Sequence, residues 1–245
     1  MWSKIFFPLQ ILWRAWFYVA IFIAIVTVFP FITLFSLTDR WYRPFFAFAR
    51  IWAYMVLLLS GFYPRVLNRH YYKRKTTYII VANHTSMLDI MLTYVAVPNL
   101  FLFVGKVELE RIPVFGFYYR RTNILVDRSS LASRRDVFHE ARNQLKRKRG
   151  VCIYPEGGIL DTGDDVLAPF KIGAFRLAVE EGVPILPMIF PDNKRRQPYD
   201  FLAGGMPGLL RATILPPLDS SNKDAKALRD ECFNLMRSAL ENKHM

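Results

Sequence analysis

The stretch VANHTSMLD, residues 81–89, places a histidine five positions before an aspartate, directly after a run of apolar and β-branched residues. Imidazole is the side chain whose ordinary pKa lies nearest neutrality. A carboxylate bonded to one ring nitrogen leaves the other free to act as a base. His84 and Asp89 are therefore candidates for a general base and its orienting partner. The same residues also read as a capping box, with Ser86 and Asp89 satisfying free N–H groups at a helix start. Positions i and i+5 of a continuous helix point about 140° apart. His84 must then precede the helix, with Asp89 in its first turn reaching back, and one aspartate can serve both purposes.

The elements that would position this pair alternate from residue 76 onward. Residues 76–82, 100–105, 123–127, 151–155, 184–190 and 210–215 are apolar strand-like runs. Helical periodicity falls between them: from about Ser86, over 130–148 with Leu131, Val137, Phe138, Ala141 and Leu145 on one face, over 171–182 up to Gly182, and over 223–241. Such alternation predicts an α/β fold, a largely parallel mixed sheet flanked by helices. Polar clusters follow three of the strands: Asn83-His84, Asp127-Arg128 and Glu156-Gly157-Gly158. In open α/β sheets ligands bind beyond the carboxyl ends of the strands, so the three clusters converge on one edge. Arg128 offers a guanidinium fork suited to phosphate or carboxylate, and Lys106 stands in a similar place after 100–105. The glycines after Glu156 let the backbone approach a ligand closely.

The front of the chain has another character. Residues 15–38 carry no charge between Arg14 and Asp39, and as a helix would reach roughly 36 Å, enough to cross a hydrocarbon core of about 30 Å. Pro30 is expected to kink it. Residues 45–63, with Arg50 inside and Trp and Tyr anchors, read as an antiparallel partner in or through the interface. The expected organisation is an N-terminal two-helix membrane unit, 1–63, and an α/β domain, 64–245. Whether the helices span or embed in one leaflet stays open. By the positive-inside tendency the basic residues that follow (Arg65, Arg69, Lys73, Arg74, Lys75) are expected to place the domain on the cytoplasmic side of its membrane, the inner membrane if the cell is bacterial.

Composition agrees with a lipid-facing protein: of 245 residues 53% are hydrophobic, and the formal net charge of +13 attracts anionic lipid or phosphate-bearing ligands. Nucleic acid is disfavoured, because the basic run 134–150 is interleaved with a periodic apolar face between two core strands. No metal spacing joins His70, His139 and His244, no G-x-S-x-G elbow is present, and Cys152 and Cys232 form no disulfide framework.

With these motifs in hand, the chain resembles the 1-acylglycerol-3-phosphate acyltransferase family of the glycerolipid acyltransferases. NHTSMLD matches the family's N-H-x4-D signature, and GKVELERIPVFG (105–116), ILVDR (124–128), YPEGG (154–158), FKIGAFRLA (170–178) and VPILP (183–187) follow in family order over roughly 76–215. The resemblance implies a membrane-bound enzyme of phospholipid biosynthesis. It would move a fatty acyl group from an acyl thioester, acyl-CoA or acyl-acyl carrier protein, to the free hydroxyl of a lysophospholipid, 1-acylglycerol-3-phosphate, giving phosphatidic acid, without a cofactor or metal. By the resemblance His84 is the general base and Asp89 its partner. Asn83, Lys106, Arg128, Glu156 and Gly157 bind substrate, with Arg128 and Lys106 on the acceptor phosphate. The chain departs from the pattern at Thr122, where glycine is usual, and at Gly158 and Ile159, where threonine and a polar residue are usual. The alternatives are another lyso-lipid acceptor, or a membrane-tethered lipid-binding protein with a decayed site.

Overall fold

The computed structural model describes residues 2–112, 115–127, 129–160 and 165–242. Two helices open the chain, α1 (Trp2–Ser36) and α2 (Tyr42–Leu59). The body follows as β1 (Phe62–Leu67), β2 (Ile79–Ala82), α3 (Leu88–Ala96), β3 (Phe101–Lys106), α4 (Phe115–Thr122), β4 (Ile124–Val126), α5 (Leu131–Lys146) and β5 (Gly150–Ile153). It ends as α6 (Gly173–Glu181), β6 (Ile185–Ile189), the single turn α7 (Asn193–Arg196), β7 (Gly208–Ile214) and α8 (Ala225–Glu241).

All six expected strands are present in one seven-stranded sheet of order β1-β7-β6-β2-β5-β3-β4. From β6 to β4 every pairing is parallel; β7 runs antiparallel to β6, and β1 lies parallel to β7 at the edge. β1 was not expected from the sequence. Its segment FYPRVL carries Pro64 and Arg65, and an edge strand tolerates both because one side of its ladder is unpaired. The central strands are apolar throughout: all four residues of β2 and all five of β6 are buried, as a sheet covered on both faces requires.

The chain leaves β2 through α3 to build β3 and β4 on one side. It then returns to insert β5 between β2 and β3, and passes through α6 to β6 on the far side of β2. α3 packs against α2 on one face of the sheet, while α6 packs with α5 and α8 on the other. The connections thus diverge between β2 and β5, which makes the carboxyl ends of these strands the crevice where an α/β sheet accommodates a ligand.

The α1–α2 hairpin shares a continuous core with the body. Phe17, Ala20, Ala24 and Val28, spaced three and four apart, are buried, as are Phe46, Ala49, Ala53 and Val56 of α2. Phe17 sits edge-on to Phe62, and Tyr42 Oη donates to the carbonyl of Phe101 in β3. The boundary expected at 63/64 therefore falls inside β1, and the helix continues through Pro30. Arg14, read from sequence as a flank of an apolar span, is buried: its guanidinium donates to the carbonyls of Pro198, Asp200 and Gly204 and lies over the Phe201 ring. The opposite side of α1 is apolar and uncovered, with Leu12, Trp16, Phe22, Val26 and Leu34 exposed.

Candidate active site

The loop between β2 and α3 carries the site. Helix α3 begins at Leu88, so His84 precedes it and Asp89 lies in its first turn, as the five-residue spacing requires. The capping box forms: the Ser86 hydroxyl accepts from Leu88 N at 3.3 Å, and Asp89 Oδ2 accepts from Ser86 N at 2.9 Å and Thr85 N at 2.7 Å. The same oxygen lies 2.8 Å from His84 Nδ1. An ionised carboxylate can only accept, so Nδ1 carries the proton and Nε2 keeps its lone pair. Capping and base orientation are thus carried out by one atom.

The base is held from two further directions. Glu156, after β5, is buried, and its Oε1 accepts from His84 N at 2.7 Å while Oε2 accepts from Ala168 N at 2.9 Å. The loops after β2 and β5 are joined through this one carboxylate, whose pKa burial pushes above the usual glutamate value. The imidazole lies on the ring of Tyr154, also from the loop after β5. Thr93 Oγ1 donates to the carbonyl of Asp89, so the Tyr154 hydroxyl 3.2 Å away donates to Thr93. His84 itself is part-buried, its side chain 17% exposed. The product is an imidazole with fixed plane, fixed tautomer and an available Nε2, which is what proton abstraction asks of a base.

The other expected residues divide. Asn83 is buried, with its amide oxygen accepting from Phe190 N at 2.8 Å and its amide nitrogen donating to Phe190 O at 3.4 Å. It was expected to bind substrate. With both ends of its amide committed to β6, its geometry is that of a strut between the carboxyl ends of β2 and β6. Gly157 adopts φ +87°, a left-handed backbone that favours glycine at this turn, and the flexible end of the Lys171 side chain lies against it. Lys171 follows Phe170 in the run FKIGAFRLA and was not singled out from the sequence. Lys106 ends β3, one strand beyond β5, and is exposed. Arg128 lies outside the described residues. Among the described residues no three His, Cys, Asp or Glu side chains gather as a metal site needs, and Cys152 and Cys232 are buried and free.

Sequence reasoning missed Asn193, whose Nδ2 lies 2.6 Å from Asp89 Oδ1. The signal was available: Asp192-Asn193 follows β6 as the other polar clusters follow their strands. Asp192 is the site's structural pin. Burial pushes its pKa up, but hydrogen bonds from the side chain and backbone N of Arg211 outweigh this and hold it below the usual aspartate value.

Comparison with known proteins agrees with this geometry. Residues 64–191 match the family described as Acyltransferase. The chain is 32% identical over 167 residues to the 1-acyl-sn-glycerol-3-phosphate acyltransferase of Escherichia coli (strain K12), covering 67% of this chain and 66% of that protein. It is 30% identical over 198 residues to the Saccharomyces cerevisiae protein of the same name, covering 77% of this chain and 65% of that one. The chain thus aligns with just under two thirds of the length of these relatives. The fold is shared with the crystal structure of the 1-acyl-sn-glycerophosphate (LPA) acyltransferase PlsC from Thermotoga maritima, with a TM-score of 0.76 at 22% identity over 95% of both chains. The family match spans the strands and loops that assemble His84, Asp89 and Glu156, and the chain belongs to the Acyltransferase family.

Proposed function

We propose that the protein transfers a fatty acyl group from an acyl thioester to the free hydroxyl of 1-acylglycerol-3-phosphate, giving phosphatidic acid. The observation that carries this reading is the Asp89-oriented imidazole of His84, with Nε2 unclaimed among the described residues at the switch point of the sheet. Nε2 takes the proton of the acceptor hydroxyl as its oxygen attacks the thioester carbonyl. The tetrahedral intermediate expels the thiolate, and the imidazolium returns the proton to that sulfur. No acyl-enzyme forms, and Cys152, buried within β5 with its thiol pKa pushed up by burial, has no part in it. The donor is a thioester of coenzyme A or of an acyl carrier protein.

The acceptor follows from charge. A phosphomonoester is compact and nearly dianionic, best held by a fork-shaped donor with a point charge beside it. Arg128 and Lys106 follow neighbouring strands, β4 and β3, and supply that pair. The relatives named above are 1-acylglycerol-3-phosphate enzymes, which supports the same acceptor.

The protein works at a membrane. The exposed side of α1 is a continuous apolar surface far larger than a water-facing helix tolerates, and lipid is its natural solvent. Arg14, Phe17 and Thr33 tie the other side of α1 to the body along its length, which supports a hairpin embedded in one leaflet beside the catalytic domain, and the basic residues after it support the cytoplasmic face.

The test is acyl transfer from a labelled thioester to a panel of lyso-lipids. Lysophosphatidic acid should be preferred. Arg128→Ala should raise the acceptor KM by about 10- to 150-fold, the loss of one charge-assisted contact, while leaving the donor KM nearly unchanged. Preference for lysophosphatidylcholine, or an unchanged acceptor KM, would remove the acceptor assignment.

A further inference from the structure

We propose that Asn193 is a positioning residue of the catalytic pair: its amide holds the one Asp89 oxygen that the loop leaves unclaimed, and so keeps that carboxylate turned toward His84. Asp89 is fully buried, and among the described residues its only charged partner is His84. Three donors, from His84, Thr85 and Ser86, converge on Oδ2. Oδ1 receives a single donor, Asn193 Nδ2, at 2.6 Å. Without that donor Oδ1 would be stripped of water and unbonded, which is costly in a buried site, and the carboxylate would turn in search of another partner. A carboxylate turned away from Nδ1–H no longer fixes the ring or offsets the positive charge that His84 gains on taking a proton.

Two observations separate this role from ordinary packing. The first is the contrast between the two asparagines of the site. Asn83 uses both ends of its amide on the backbone of Phe190, as a structural asparagine does. Asn193, equally buried, makes one side-chain hydrogen bond, and that bond is to Asp89; its Oδ1 has no partner among the described residues. The second is that the turn carrying Asn193 is fixed without it. Phe190 is pinned to Asn83, Asp192 to Arg211 on β7, and the carbonyl of Gln197 accepts from the Ser86 hydroxyl at 2.7 Å. The turn therefore has anchors on both sides of Asn193 that do not depend on its contact with Asp89. The titratable and charged groups of the elements around the contact are His84 and Asp89 after β2, Cys152, Tyr154 and Glu156 on and after β5, Asp192 beside it, Lys194, Arg195 and Arg196 on its own turn and Arg211 on β7.

The inference rests on His84 acting as the base, and the experiment separates the two. Steady-state kinetics in detergent micelles would compare the full-length protein with His84→Ala, Asn193→Ala and Asn193→Asp, with thermal melting as a control. Asn193→Ala should lower kcat on the order of 10- to 100-fold, with both KM values within about twofold. Asn193→Asp nearly preserves shape but opposes one carboxylate with another. It should be slower than Asn193→Ala at neutral pH and recover relative to it as pH falls, because the introduced carboxyl, once protonated, donates as the amide did. A packing role predicts the reverse order and a pH-independent ratio, and that result would overturn the proposal. So would wild-type kcat in Asn193→Ala beside an inert His84→Ala. An active His84→Ala would instead remove the catalytic reading itself. Should Asn193→Ala fail to fold, the near-isosteric Asn193→Asp carries the decision through its pH profile.

Discussion

The imidazole of His84 lies nearly parallel to the phenol ring of Tyr154, centroids 4.1 Å apart and planes inclined by 14°. One face of the base is thereby covered, and its rotation about χ2 is blocked from that side. Tyr154 in turn is locked by Thr93, whose hydroxyl is bonded to the carbonyl of Asp89, so ring and carboxylate are steered by one helix. Removal of the ring in Tyr154→Ala should lower kcat about 10-fold or more and leave a cavity costing about 3–5 kcal/mol, whereas Tyr154→Phe keeps the stack and should retain most activity. Paired melting and kinetic measurements check both.

The pair itself makes a sharper prediction. General-base assistance contributes on the order of 10²- to 10⁴-fold in rate, so His84→Ala should lose at least that much with a preserved circular-dichroism spectrum. Asp89→Asn should fall comparably, because an amide retains the size of the carboxylate but cannot accept from three N–H groups on one oxygen and stabilise a charge. Mass spectrometry of the enzyme under turnover should find no acylated protein. A covalent acyl adduct would exclude the direct-transfer scheme.

Two buried carboxylates near the base titrate with opposite sign. The native pKa of Glu156 is raised by burial. Its contribution to stability is therefore full below the ordinary glutamate value near 4.5 and is lost as pH rises through the native value. Asp192 is held low by Arg211 against the effect of burial. Its contribution is present above the ordinary aspartate value near 3.8 and is lost as pH falls through the lower native one. Asp192→Asn should cost about 1–3 kcal/mol at neutral pH and flatten the acid side of the stability profile. Glu156→Gln sets an NH2 group against the backbone N–H of His84 or Ala168, and should lower activity more than it lowers stability. Thermal melts from pH 3 to 8 distinguish the two signatures.

For the hairpin, the prediction concerns salt. Contacts made by basic side chains with headgroups weaken as ions screen them, but buried hydrocarbon contact does not. Washing membranes with high salt should leave the full-length protein attached, while detergent releases it. Recovery in the salt wash would refute embedding. Removal of residues 1–63 should give an aggregating body, because it strips the cover from α3 and cuts β1 after its second residue.

Much of this architecture was legible because its signals were local. The central strands announce themselves as apolar runs, and the five-residue interval of His84 and Asp89 forces a loop-then-helix placement that the structure repeats. β1 escaped notice because Pro64 and Arg65 interrupt its pattern, which only its edge position excuses. α4 escaped because FGFYYRRT is short, aromatic and opens with glycine near its start, poor intrinsic helix material that holds through packing; Tyr118 bonds Thr33 and packs on Phe29 of α1. Asn193 reaches Asp89 from 104 positions away, a distance no spacing rule covers. Arg14 looked like the end of a span because a charge bonded only to main-chain carbonyls has no complementary acid in the sequence to reveal its burial.

The pairing of β1 with β7 also fixes an order of events during synthesis. Phe62 registers with Gly208, so the strand that directly follows the hairpin has its only ladder partner 146 positions later. At roughly 5–20 residues per second, the ribosome needs about 7–30 s to supply it. Throughout that interval the hairpin has emerged with its apolar side bare and its edge strand unpaired, while the 198–204 loop that will hold Arg14 does not yet exist. Nascent chains from which residue 198 has not emerged should therefore remain protease-sensitive at β1, and those in which residue 214 has left the ribosome should become resistant. On the membrane reading proposed above, the bilayer would be the first folding partner of this chain, holding the hairpin until its own last strand arrives.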